Sequence, residues 1–333
     1  MVGEHFYRAS YRHTPRSLRR YISRLRYLFE PGFWEILPVD YRYDDALDRV
    51  LRELVQFTRF DVVIVEYIFW SKALKCFDAS VLKIIDTHDM FTRRHMLYRM
   101  AGQAYGWYCT TAKEEAKGLN WADIVIAIQH WEKEYFARLT SKRVITVRHI
   151  APVVHLSPDK HSTPTLLFVG SDAGTNIHGI RPFIKEIFPL VKESAPDATL
   201  LIAGQVCNAI DNHDHCVKLG VVDDLASLYA KADVVVNPIR FSTGLCIKTI
   251  EALGYGKPVV TTPAGSRGLE EGADTAFLVA DEPEAFARRV VEVLQDSAKT
   301  QTLVQSAYRF VEAWNAQSVH ELAAAIEPTR AGA

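Results

Sequence analysis

No stretch of this 333-residue chain approaches the ~18 uninterrupted apolar residues of a membrane-spanning helix, so none is expected. The N-terminus lacks the short apolar core and small-residue cleavage site of a secretory leader. Cysteine is scarce. Cys76, Cys109, Cys207, Cys216 and Cys246 are scattered and odd in number, which argues against a disulfide frame and for reduced thiols in a cytosolic protein. Excess charge is missing too: the formal net charge is −1, so no global field selects nucleic acid as a partner. No paired carboxylates of the hydrolase kind stand out. The one cluster of zinc-type ligands, Cys207, His213, His215 and Cys216, has a spacing that fits no familiar finger, so no metal is expected.

What remains is an ordinary soluble composition, 48% hydrophobic and 24% charged, and a length that suggests about two domains, each able to bury a full core. Residues 1–30 are locally basic. Leu18, Ile22, Leu25 and Phe29 recur at spacings of three and four, so 16–29 reads as a basic amphipathic helix. Two roles fit it: a foot on anionic membrane, or a surface helix packed on its own domain.

From residue 44 the pattern alternates. Residues 44–58 look helical. Asp61–Tyr67, Val81–Asp86, Ala122–Gln129 and Arg143–Arg148 read as strands, with a helical stretch near 92–119. Three prolines and several polar residues make 151–164 a linker. A second series follows, with strands at 165–169, 199–203, 216–219, 233–237, 258–262 and 277–280. Helices are predicted at 179–194, 223–231, 246–254, 283–296 and 298–325. Strands alternating with helices predict an α/β chain of parallel, doubly wound sheets. The expected division is 1–150, a linker at 151–164, 165–310, and a C-terminal helix and tail at 311–333.

The most informative stretch is 233–264. It reads strand, glycine-bearing turn, helix, turn, strand. Pro238 ends the first strand, and Ser242, Thr243 and Gly244 form the turn. Lys248 and Glu251 sit one helical turn apart and so face one side. A helix opening with free N–H groups, a positive dipole end, a close-approach glycine and a lysine is a natural phosphate site at the carboxyl edge of a parallel sheet. Arg240 and Lys248 are the candidates to neutralise a diphosphate. Glu251 can accept hydrogen bonds from a ribose diol. The run 165–179 is a second strand, glycine loop and helix start; Gly170 and Ser171 would bring backbone amides to the diphosphate, with Asn176 as the helix cap. Gly220, Val221 and Val222 lead into another helix. In the first half, Asp86-Thr87-His88-Asp89 closes a strand. His88 there can donate a hydrogen bond to a hydroxyl or a developing charge, with Asp86 and Asp89 as lesser candidates for an acceptor-hydroxyl base. Arg93 and Arg94 follow, placed to contact an anionic acceptor or simply solvated.

The residues Lys248-x-x-Glu251-Ala-Leu-x-Tyr-Gly-Lys-Pro-Val-Val-Thr-Thr resemble the donor-site signature of retaining glycosyltransferases of family 4, a family of GT-B architecture. The family often has a Glu eight positions before the helical one; Thr243 stands there, and Ser242-Thr243-Gly244-x-x-x-Lys248 resembles the turn of a subset of the family. The resemblance implies two Rossmann-like domains facing each other across a cleft. An abbreviated N-terminal domain would bind the acceptor, the C-terminal domain would hold a nucleotide sugar, and the last helix would cross back. It implies that the turn at Val221 holds the base through backbone groups, Glu251 the ribose, Thr243 a sugar hydroxyl, and that His88 faces the donor sugar. The expected activity is transfer of a sugar to an acceptor hydroxyl with retention of configuration, in polysaccharide or glycoconjugate biosynthesis. The acceptor would be a saccharide or a lipid-linked one, and no cofactor is implied. The expected location is cytoplasmic, at the inner membrane surface if 16–29 touches lipid. A noncatalytic sugar-nucleotide scaffold is the alternative raised by Thr243. An epimerase or phosphorylase of the same fold is a further one, although no pyridoxal lysine site can be located.

Overall fold

The computed structural model of the chain describes residues 27, 30, 32, 34–156 and 163–327. The basic segment 16–29 therefore lies, Tyr27 apart, outside the described residues. Backbone contacts divide the chain into two units: residues up to Arg148 together with those from Val319, and His149–Ser318.

Among the described residues, the first helix of the first unit is α1 (Asp45–Phe57), whose first turn is capped by the Asp44 carboxylate through the N–H groups of Ala46 and Leu47. Strands β1 (Val62–Glu66), β2 (Leu82–Asp86), β3 (Ile124–Ala127) and β4 (Arg143–Thr146) pair in parallel in the order β1-β2-β3-β4. Among the described residues that order runs straight, without a reversal. Central strand β3 is a continuous apolar run because both its faces are covered, whereas edge strand β1 leaves Ile64 48% exposed. Ile85, Val125 and Ala127 face Phe69, Leu74, Phe91 and Phe136. Alternate residues Ile84, Ile124 and Ile126, with Ile145, face Leu322, Ala325 and Ile326.

The predicted helical stretch 92–119 is two helices, α2 (Arg94–Met100) and α3 (Ala112–Leu119), with irregular chain between them. Gly102 ends the first in a left-handed conformation at φ 67°, and the Thr111 hydroxyl caps the second. Glu115, fully buried on α3, ties the break together. Its carboxylate accepts from Phe91 N–H (2.8 Å), Thr92 Oγ1 (2.5 Å) and Tyr135 OH (3.3 Å). Burial pushes its pKa up to about 7 against those bonds. Helix α4 (His130–Leu139) has no counterpart in the sequence reading; its buried face is only Glu132 and Phe136, so its apolar period is faint.

The second unit contains β5 (Thr165–Val169), β6 (Thr199–Ala203), β7 (Cys216–Gly220), β8 (Val234–Asn237), β9 (Val259–Thr261) and β10 (Leu278–Val279). All pair in parallel, in the order β10-β9-β8-β5-β6-β7. Counted within the unit this is the doubly wound order 3-2-1-4-5-6, read from the β7 side, and it reverses between β5 and β8. Helix α5 (Gly174–Pro182) follows β5, opens into a π turn at Phe183–Ile187 just after Pro182, and resumes as α6 (Phe188–Ser194). Helices α7 (Leu225–Ala230), α8 (Ile247–Gly254), α9 (Pro283–Gln295) and α10 (Ser297–Ile326) complete the chain.

Two boundaries differ from the sequence reading. Residues 151–156 are bonded into the second unit: Val154 N–H donates to Gly254 O (2.8 Å), and Asn315 bonds both the N–H and the carbonyl of Ala151. A Cβ on Gly254 would stand 2.0 Å from Pro152 O, so only glycine admits this approach. The second unit extends past 310 to Ser318, and the end of α10 belongs to the first.

Candidate functional site

The reversal between β5 and β8 puts two loops side by side at the carboxyl edge of the second sheet, where open α/β sheets bind ligands. The loop after β5 carries Gly170 and Ser171; the loop after β8 carries Arg240 to Cys246 and feeds α8. Their closeness depends on glycine. At Gly179 of α5 a Cβ would stand 2.9 Å from Ile239 Cα, and at Gly170 one would stand 2.9 Å from the Phe168 ring.

Asn176 corrects the sequence reading. The helix starts at Gly174, so Asn176 is inside it and caps nothing. Its amide donates to Ser171 O and Oγ (both 3.1 Å), and its Oδ1 accepts from Lys248 Nζ. One side chain thus fastens the lysine of α8 to the glycine loop of β5. The Lys248 ammonium lies 5.0 Å from the Phe168 ring centre, and its removal from water pulls its pKa from 10.5 down to about 8. Nearby Cys246 and Glu251 oppose that shift. An ammonium withdrawn from water and held by one amide oxygen is a site suited to an anion.

Glu251, one turn on, accepts from Tyr229 OH at 2.8 Å, and the Tyr229 ring stacks on Tyr255 at 4.5 Å. Thr243 is buried, and Gly244 O accepts from Ser242 Oγ (2.9 Å). Arg267 Nη1 holds Ser242 O at 2.7 Å, which clamps the turn from outside. Below it Asn237 Nδ2 donates to Thr249 Oγ1, which donates to Gly265 O, so β8, α8 and the loop after β9 are one hydrogen-bonded block. Arg240 stands apart from this set: it pairs with Glu186 at 3.4 Å, both side chains half-exposed. Val221 is exposed, just after Gly220, whose carbonyl accepts from Gly204 N–H.

Sequence reasoning missed three parts of this site. Tyr229 and Arg267 act on Glu251 and the turn from remote segments, without a local signal. Gly204 has φ 97°, and a Cβ there would stand 2.1 Å from Gly170 O, so the glycine loop rests on a second glycine. An isolated glycine after the strand run L-L-I-A was the available cue. The cysteines and histidines at 207–216 do not converge: Cys207 Sγ turns inward to Ile202 O, and no group of three or more metal-type ligands gathers among the described residues. A cavity of about 790 Å³ lined by Leu190, Glu193, Val279 and Arg288 shares no residue with the site.

In the first unit His88 stands at the carboxyl end of β2 in a left-handed conformation, φ 58°. Its Nε2 is shut from solvent without a hydrogen-bond partner, 3.8 Å from both the Glu66 and Asp86 carboxylates. Burial pushes the Asp86 carboxyl up, and His88 opposes this. Asp89 pairs with buried Arg94 at 2.7 Å, which draws that arginine inward, while Arg93 bonds Glu30 at 2.9 Å.

Comparison with known proteins bears on the fold of the chain and on the family that its second unit resembles. Residues 163–296 match the family model described as Glycosyl transferases group 1. An uncharacterized 44.6 kDa protein in the cps region of Klebsiella pneumoniae is 24% identical over 190 residues, 52% of this chain and 48% of that protein. The chain spans half or less of the length of the curated relatives it matches. Sucrose-phosphate synthase of Thermosynechococcus elongatus superposes with a TM-score of 0.67 at 18% identity, over 86% of this chain and 78% of that one. HepE of Anabaena, determined with UDP and glucose, superposes at 0.58 and 16% identity, over 84% and 81%. The fold is that of the GT-B glycosyltransferase structures.

Proposed function

We propose that this chain is a glycosyltransferase that takes its sugar from a nucleoside diphosphate sugar held at the switch point of the second unit. The observation that carries the reading is Lys248. Strand order and Asn176 bring its desolvated ammonium to the Gly170 loop, where a diphosphate would neutralise it. The match of residues 163–296 to a glycosyltransferase family model supports the same reading.

Each residue then has a task. Loop amides at Gly170 and Ser171 and the opening of α8 receive the diphosphate. Lys248 supplies the charge that stabilises it as it leaves, and Arg240 adds a second cation once released from Glu186. Glu251, oriented by Tyr229, holds the ribose diol, and the backbone at Val221 meets the base. Thr243 and Gly244 approach the sugar. The proposed transfer retains the anomeric configuration and proceeds without a metal or other cofactor, the leaving phosphate taking the acceptor proton. His88 in the first unit is a hydrogen-bond donor for a hydroxyl or a developing charge. The cps-region relative supports a place in polysaccharide or glycoconjugate synthesis; a cytoplasmic location, with residues 16–29 as a foot on anionic membrane, belongs to the same proposal and rests on the sequence alone.

The test is thermal-shift binding of UDP, GDP, ADP and dTDP to wild type, Lys248→Ala and Glu251→Ala. UDP comes first because HepE was determined with it. A shift with one nucleotide that both variants lose is the expected result. No shift with any nucleotide overturns the proposal and favours a scaffold without a donor.

A further inference from the structure

Trp107 is a large aromatic residue left 43% exposed in the irregular chain between α2 and α3. It is not loose. Its indole packs at steep angles against three rings: Phe91 at 5.3 Å and 75°, Tyr67 at 5.7 Å and 82°, Phe69 at 6.1 Å and 77°. Tyr67 is itself stacked against His88 (4.3 Å, 23°) and Phe69 (5.1 Å, 11°). Its backbone is held left-handed at φ 64°, with its N–H bonded to Asp86 O at 2.8 Å. Two strained positions, Tyr67 and His88, thus close adjacent strands β1 and β2 and set one aromatic group. Such strain costs about 1–3 kcal/mol per residue and persists where the surroundings over-determine it, often at ligand sites.

The groups around this aromatic set carry both signs: the Arg42 guanidinium lies 4.8 Å from the Phe69 ring centre, and Arg94, paired with Asp89, lies 5.4 Å from the Phe91 ring centre, while the edge beside His88 is made of acceptors. Glu66, at the end of β1, is 70% exposed at its side chain. Asp86 lies beside it in register, and Asp89 follows His88, near enough to push the Tyr67 hydroxyl pKa up after burial does so. This mixture discriminates between ligands. A phosphate would meet like charge from Glu66 and Asp86. An acyl chain would strip water from those carboxylates and give no hydrogen bond back. A neutral pyranose satisfies both halves: its C–H face lies on the indole and its hydroxyls donate to the carboxylates.

We propose that Trp107, braced by Tyr67, Phe69 and Phe91 beside the Glu66–Asp86–His88 edge, is a binding platform for an uncharged sugar ring of the acceptor. This rests on the glycosyl-transfer reading for the word acceptor, though not for the sugar site itself. The platform puts the ring beside His88, at the carboxyl edge of the first sheet. Trp107 binds and orients; it takes no part in proton transfer.

The experiment is saturation-transfer NMR with methyl β-glucopyranoside, methyl β-galactopyranoside and methyl N-acetyl-β-glucosaminide, with glycerol and farnesyl phosphate as comparators. Wild type, Trp107→Ala, Trp107→Phe and Lys248→Ala are measured, each first checked for an unchanged melting profile of the first unit. At least one glycoside should receive saturation on its ring protons in wild type. Trp107→Ala should weaken it about tenfold or more, Trp107→Phe should largely retain it, and Lys248→Ala should leave it intact. Equal binding by Trp107→Ala, no binding of any glycoside, or Trp107-dependent binding of farnesyl phosphate instead would each overturn the platform. Glycoside binding in a protein that shows no nucleotide shift would overturn the transfer reading while leaving the platform standing.

Discussion

Lys248→Met should make the second unit more stable at neutral pH while removing donor binding. The wild-type ammonium is held at a pKa of about 8 instead of 10.5 because it is taken out of water, with Cys246 and Glu251 compensating only in part. A displacement of that size is worth about 3 kcal/mol against the folded state. Methionine keeps the aliphatic volume and removes the charge. Against that gain, Asn176 Oδ1 loses its donor, which costs about 1–2 kcal/mol, and the contact with the Phe168 ring is lost, about 0.5–1 kcal/mol. The balance is about 1 kcal/mol in favour of the variant, or about 2–4 °C in Tm for a unit of this size. The pH dependence fixes the cause. The unfolded chain binds the proton up to about pH 10.5 and the folded chain only up to about 8, so wild type gains stability as pH rises through that window. The methionine variant does not titrate there, so its advantage should shrink above about pH 8 and turn into a deficit by about pH 10. Scanning fluorimetry at a series of pH values reads this directly. Parallel curves, or a variant already less stable at pH 7, would refute the account of Lys248 as a buried charge waiting for an anion.

Two further outcomes follow from the same kind of reasoning. Glu132 is buried on α4, its Oε1 bonded to Gln129 and its Oε2 unpartnered; burial, with Asp89 adding to it, raises its pKa to about 8 from 4.5. The folded state keeps the proton that the unfolded chain releases, so wild type loses stability between about pH 4.5 and 8. Glu132→Gln should therefore gain over wild type across that window and level off above it, with a ceiling of about 5 kcal/mol; a constant difference in melting temperature from pH 5 to 8 would be the contrary result. Gly204→Ala must fit a Cβ 2.1 Å from Gly170 O at φ 97°. It should lose about 2–3 kcal/mol and the nucleotide-induced shift together, and a variant with wild-type melting and nucleotide response would contradict that.

The parts of this protein that the sequence makes legible are those with a local cause. The strand I-V-I-A reads correctly because a central parallel strand covered on both faces needs uninterrupted apolar residues. Lys248 and Glu251 were legible because the helical period alone puts them on one side. The illegible parts come from contacts between distant segments. Asn176 looks like a cap from its place near a helix start, yet its two ends serve Ser171 and Lys248. Tyr229 is an unremarked helical residue until the fold brings it to Glu251. The aromatic set around Trp107 draws on three separate stretches, none of which signals the others. Arg240 is the opposite case: its position near the turn suggests a phosphate contact, but its partner is Glu186.

The helix α10 makes the order of synthesis matter. It begins in the second unit, and its last turns supply Leu322, Ala325 and Ile326 to the sheet of the first. Chains fold as they emerge from the ribosome, N-terminal units first. Among the described residues, Ile84, Ile124, Ile126 and Ile145 wait for these partners until residues 322–326 have been made. The first unit is thus completed only after the second has been translated.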